Sequence, residues 1–127
     1  MITLYEYHIR QFKELCQKEQ MAVGMLGGKF KDQNRMVKNI YPIAAGDSEQ
    51  ESLVKAQMEQ KNETCIGWFY SFDGLGIKDS LINETKLKEL TYYVVAVFLP
   101  EYDPVLRAYC VNNEVIQEES ILLKKLD

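Results

Sequence analysis

Histidine occurs once in the 127 residues, at His8, and cysteine three times, at Cys16, Cys65 and Cys110. An odd cysteine count without C-x-x-C spacing argues against a disulfide framework and against a structural zinc knuckle. Each thiol is therefore read as a small, buried, apolar side chain. No apolar run approaches the roughly 20 residues of a membrane span; the longest is Tyr92 to Pro100. The chain also does not open on a basic stretch followed by an apolar one, so the expectation is a cytoplasmic protein with no membrane partner. Positive charge is not in excess either. A net charge of −4 and a pI near 5.1, with Lys and Arg scattered, offer no attraction for a phosphate backbone, and nucleic acid is not an expected partner.

What is present describes a packed chain. Hydrophobic and charged fractions of 46% and 27% are ordinary globular values and disfavour disorder, collagen and coiled coil. The length suits a single domain over residues 1–127, one that buries about two-thirds of its unfolded surface without disulfides.

Tyr5, His8, Ile9, Phe12, Leu15 and Cys16 recur at the spacing of an amphipathic helix over residues 5–18. Met21 to Phe30 is apolar with three glycines, Gly24, Gly27 and Gly28, which suits a strand pressed against a neighbouring backbone. The glycines lack the spacing of a dinucleotide fingerprint. Arg35 to Ile43 reads as the hairpin partner, and Asp47 or Ser48 caps a helix running to Lys61, with Glu49 and Glu51 suiting its positive end. Thr64 to Tyr70 is β-branched and aromatic, as a central strand is, with Trp68 as a core anchor. A loop over Asp73 to Gly76 and a helix from Ser80 to Leu90 follow. Tyr92 to Leu99 reads as a strand buried on both faces, and Val105 to Val111 with Glu114 to Ile116 as a hairpin turning at Asn112-Asn113. The Glu118-Glu119 and Lys124-Lys125 pairs read as a solvated, partly helical end. This order implies an α/β (mixed α+β) arrangement of helices around one mixed sheet.

Two of these segments resemble the JAMM/MPN domains, a family whose active members are zinc isopeptidases acting on ubiquitin or ubiquitin-like proteins. Val23-Gly24-Met25-Leu26-Gly27-Gly28 is similar to the family's glutamate-x-x-glycine strand, with Met21 where the glutamate belongs. Ile66 to Gly76, continuing through Ser80 and Asn83, is similar to the G-W-Y-H-S-H-P-x-x-G loop with its later S-x-x-D. Ser80 lies eight residues after Phe72 and Asn83 eleven after it, so the spacing is kept. The ligands are replaced. Tyr70 and Phe72 stand for the two histidines, Asn83 for the aspartate and Asp73 for the proline, while Ser71 and Ser80 match. The resemblance covers residues 5–111 and implies a JAMM/cytidine-deaminase-like sheet flanked by helices.

A catalytic zinc of this kind needs two imidazoles, a carboxylate and an open water position, with a second carboxylate to take the proton. One histidine cannot supply that set, and Tyr and Asn oxygens hold zinc too weakly. No metal, no other cofactor and no zinc hydrolysis are expected. Met21, Tyr70, Phe72 and Leu75 make the former site apolar and aromatic. It is then either a docking patch, together with Ser71, Asp73, Ser80 and Asn83, or a filled redundant cavity. His8 on an apolar helix face reads as a hydrogen-bonded structural residue, and neither Ser71 nor Ser80 has a motif histidine to activate it. The leading expectation is a non-catalytic interaction or scaffolding domain. The resemblance implies a protein partner, either a catalytic JAMM homologue or a ubiquitin-like protein, and self-association is a further expectation. Binding of a peptide tail or small ligand at the former site comes next, and an enzyme with a non-zinc site last.

Overall fold

The computed structural model describes residues 1–18, 23–32, 34–43, 48–72, 92–98, 105–112 and 115–125. The elements, in chain order, are β1 (Ile2–Tyr5), α1 (Glu6–Lys18), β2 (Val23–Lys31), β3 (Asn34–Ile43), α2 (Ser48–Gln60), β4 (Thr64–Phe72), β5 (Tyr92–Phe98), β6 (Val105–Asn112), β7 (Val115–Glu119) and β8 (Ile121–Lys124). The eight strands among the described residues join one mixed sheet in the order β7-β6-β5-β4-β2-β3-β1-β8. The chain is thus a mixed α+β fold, as the alternation of patterns implies.

The two ends of that order are one stretch of chain. Only Ser120 separates β7, which pairs antiparallel with β6, from β8, which pairs parallel with β1. The Ser120 carbonyl accepts the Ile2 amide at 3.0 Å, and the chain's first amino group lies 3.5 Å from Glu119. The sheet therefore curls until its last segment bridges both margins, which shortens its exposed edges. This corrects the expected partly helical end: Ile121, Leu122 and Leu123 are drawn into strand by the free margin of β1. That margin is itself a four-residue element outside the sequence reading.

Closure creates an interior. Ile2, Leu4, Leu26, Val37, Ile66, Phe69 and Ala108 are buried there, and α1 inserts Phe12 among them, its ring edge-on to Phe69 at 5.2 Å. His8, Phe12 and Leu15 lie on one stripe of α1, as their spacing predicts. The opposite face carries a second cluster, Met25, Tyr41, Ile43 and Trp68, covered by Val54 and Met58 of α2. Trp68 is accordingly a core residue, as expected.

Two β-bulges meet at Gly27. Leu26 and Gly27 oppose Gly67 and Cys65 of β4, leaving Ile66 extra; Gly27 and Gly28 oppose Asn39 and Val37 of β3, leaving Lys38 extra. Each bulge shifts the alternation by one, so Cys65 and Trp68 both face α2 while Ile66 and Phe69 both face the interior. A side chain at Gly28 would collide with the Met36 carbonyl, the close backbone approach that the glycine-rich strand foretells. The β2–β3 hairpin turns through Asp32, whose positive φ of 57° is the one a two-residue turn demands.

The expected boundaries hold closely for α1, β2, β3, α2, β4, β5 and β6. The loop 73–76 and the helix 80–90 lie outside the described residues, as does Asn113 of the expected Asn112-Asn113 turn, while Asn112 is the last residue of β6, opposite Val115. No helix among the described residues is long and apolar enough to cross a membrane.

Candidate functional site

β4 is central, antiparallel to β2 and parallel to β5, and its two ends carry different chemistry. At its C-terminal end Tyr70 is opposite Val23 of β2 and Ala96 of β5. Ser71 and Phe72 continue along β5 opposite Val97 and Phe98. Tyr70 is half-buried and packs with Val23 against the cluster containing Trp68, on the α2 side. Of the residues that the sequence groups into one site, this is the side chain the structure describes. Ser71 and Phe72 are placed by backbone register alone. Met21, Asp73, Leu75, Ser80 and Asn83 lie outside the described residues. The crossover from β4 to its parallel neighbour β5 leaves from this end.

The opposite end of β4 holds a polar cluster that sequence reasoning missed. Helix α2 closes with the Asn62 amide donating to the Glu59 carbonyl at 3.1 Å and the Glu63 amide to the Met58 carbonyl at 2.8 Å. With Asn62 at a φ of 57°, this is a Schellman motif, and it aims the residue after Asn62 back at the sheet. That residue is Glu63, 8% exposed. Its carboxylate accepts the Tyr41 hydroxyl at 2.7 Å and the Asn39 side-chain amide at 2.9 Å. A methyl group on Gly27 would meet the Tyr41 ring at 2.7 Å and the Glu63 carboxylate at 3.1 Å, so glycine there makes the space. Burial, and then the hydrogen bond and charge of Glu63, push the Tyr41 hydroxyl well above its ordinary pKa, with Asn39 acting the other way. Lys61 holds its ammonium 5.6 Å from the Tyr41 ring centre. The cluster ties α2 to β3 and β4. A Lys-Asn-Glu run straight after a helix, with asparagine suited to a left-handed cap, is the sequence signal that could have found it.

His8 is fully buried on the interior side of the sheet, away from Tyr70. Its Nδ1 accepts the Tyr5 amide at 3.0 Å, which leaves Nε2 to donate to the Lys38 carbonyl at 3.1 Å. The first bond is the reach-back half of a capping box, made by imidazole in place of carboxylate. The second satisfies the carbonyl of the extra residue in the β3 bulge, to which the Tyr7 hydroxyl also donates at 3.0 Å. Both ring nitrogens are thus engaged with backbone, in agreement with the structural reading.

Cys65 and Cys110 are half-buried free thiols, each raised in pKa by burial, and Cys65 donates weakly to the Gly67 carbonyl at 3.6 Å. They are less covered than the fully buried side chains expected from sequence. A thiol held protonated in this way is a poor nucleophile.

This architecture, a mixed sheet with one helix in its concave face and one on its back, has solved counterparts. No family model matches the chain, and no curated protein matches it. A protein of Desulfitobacterium hafniense, known from a solution structure, superposes with a TM-score of 0.79 at 20% identity, covering 99% of this chain and 94% of that one. A protein of Salinibacter ruber, also solved in solution, superposes with a TM-score of 0.67 at 15% identity, covering 98% and 92%. Likeness at such identities establishes a shared fold.

Proposed function

We propose that the chain is a non-catalytic domain of the JAMM/MPN type that works by binding a protein partner in the cytoplasm. One observation carries this reading: the chain's single imidazole is fully engaged by the Tyr5 amide and the Lys38 carbonyl, on the opposite face of the sheet from Tyr70. The position of the first ligand histidine holds Tyr70, packed among Val23 and Trp68. Such a donor set does not fit a zinc ion.

The half-exposed Tyr70 beside Trp68 supports docking at the C-terminal end of β4, since aromatic groups backed by a rigid sheet make effective anchors. The occupant proposed is a ubiquitin-like protein or a catalytic homologue of the same fold. A peptide tail held at the same aromatic end is the second reading, favoured by the same side chain. An enzyme with a new site is the least supported, because the two described thiols are held protonated and the histidine is occupied.

The deciding experiment is a titration of the isotope-labelled chain with a ubiquitin-like protein, followed through its amide resonances. Shifts confined to Val23 and Tyr70–Phe72 are expected, and Tyr70→Ala abolishes them. Stoichiometric zinc in protein purified without a metal-binding tag, or hydrolysis of a ubiquitin-like conjugate, would sink the proposal.

A further inference from the structure

We infer that His8 is an acid-operated latch on α1: protonating its ring breaks its bond to the Tyr5 amide and loosens the first turns of α1 while the central strands stay paired. The geometry requires one neutral tautomer. Nδ1 must present a lone pair to the Tyr5 amide at 3.0 Å, while Nε2 must present its proton to the Lys38 carbonyl at 3.1 Å. A second proton can go only onto Nδ1. It then points at another N–H, so the bond becomes a donor–donor contact and the N-terminus of α1 loses its cap.

Among the described residues the surroundings supply no bonded counter-charge for an imidazolium. Tyr5 and Tyr7 face the ring from the β1–α1 corner, with ring centroids 5.8 and 4.1 Å away, and Lys38 approaches from β3. Glu63, at the α2–β4 corner, acts on the Tyr7 hydroxyl. No carboxylate among the described residues hydrogen-bonds the imidazole, and the side chain is 0% exposed. Burial therefore holds its pKa below the ordinary value, with the Lys38 carbonyl as a weaker opposing influence. The sign follows from linkage. The latch is fully closed above about pH 6.5, where the free imidazole is neutral. It weakens as pH falls from there toward the lowered folded value.

Release has a specific target. One turn after His8, Phe12 is the side chain α1 places inside the closed sheet against Phe69, so loosening the cap bares the interior at that point. Sheet pairing does not depend on the latch, because β4 is flanked on both sides by ladders that do not involve α1.

The test is hydrogen exchange on the intact chain between pH 7 and pH 5, with the single imidazole followed in the same samples. Protection of the Arg10–Leu15 amides is expected to fall below pH 6.5 by up to about tenfold per pH unit, the limiting dependence of a one-proton linkage. The β4 and β5 amides are expected to hold, and the imidazole to titrate below its ordinary value. In His8→Gln, whose amide keeps one acceptor and one donor without titrating, the α1 slope disappears. An imidazole titrating at its ordinary value with level α1 protection would overturn the latch. So would an equal loss of protection across all strands, a comparison within the wild-type chain that decides even if His8→Gln fails to fold.

Discussion

Beneath α1 the sheet buries Ile2, Leu4, Leu26, Val37, Ile66, Phe69 and Ala108, a largely apolar interior beside which His8 is also buried. Beneath α2 it buries Met25, Tyr41 and Trp68 and, at one end, the carboxylate of Glu63. The interior is made by closure, since residues from β1, β2, β3, β4 and β6 reach it only once the 115–124 segment joins both margins. The layer under α2 is built from β2, β3 and β4, with α2 laid across it. Helix α2 buries Val54 and Met58, while Leu53 remains 65% exposed, so a hydrogen-bonded corner supplements a thin apolar contact. Where the chain can surround a space it fills it mainly with hydrocarbon, and the imidazole at its margin is bonded to backbone. Where a helix only lies across a sheet, a polar stake fixes its end.

Truncation of the interior is expected to have the largest effect. Phe12→Ala removes the ring that α1 inserts and should cost about 3–5 kcal/mol, read as a fall in the urea midpoint. A loss below 1 kcal/mol would mean that the interior is not the principal core. Next comes the corner under α2. Glu63→Ala leaves the Tyr41 hydroxyl and the Asn39 amide without their acceptor. The expected cost is about 1–3 kcal/mol. Combining it with Tyr41→Phe should cost less than the sum of the two single changes, because one buried bond is shared. Additivity would break the idea of a single network.

The same corner predicts an alkaline limb. The Tyr41 hydroxyl is raised in the folded chain, chiefly by burial and then by Glu63. The folded state therefore keeps a proton that the unfolded state gives up above about pH 10, and stability falls as pH rises beyond that value. Tyr7 contributes in the same direction, again through burial first. Urea midpoints at pH 8 and pH 10.5 should separate in the wild type and draw together in Tyr41→Phe. The smallest effect belongs to Leu53→Lys on the outer side of α2, expected to stay within about 0.5 kcal/mol. A larger loss there would show that Leu53 is covered in solution.

Much of the fold is legible along the chain because its signals are local. The stripe of His8, Phe12 and Leu15 marks α1, the acidic turn of Glu49 and Glu51 marks the start of α2, and the β-branched and aromatic run from Thr64 marks β4. The candidate site is legible only in part. Tyr70 stands at the end of the central strand as the spacing suggests, and His8 is structural as its isolation suggests. The Glu63 corner was hidden because its partners Asn39 and Tyr41 come from another strand, over 20 residues earlier.

Sequence by itself determined the periodic elements, the absence of a histidine pair and the glycine-rich strand. Each of these depends on residue type and on spacing within a few residues. Only the tertiary structure decided that Ile121–Lys124 is a strand and that the sheet closes through Ser120. It alone revealed the two bulges meeting at Gly27, with the extra carbonyl of Lys38 held by His8. The Lys38 carbonyl and the Ile2 amide find partners 30 or more residues away, a pairing that local propensity does not encode.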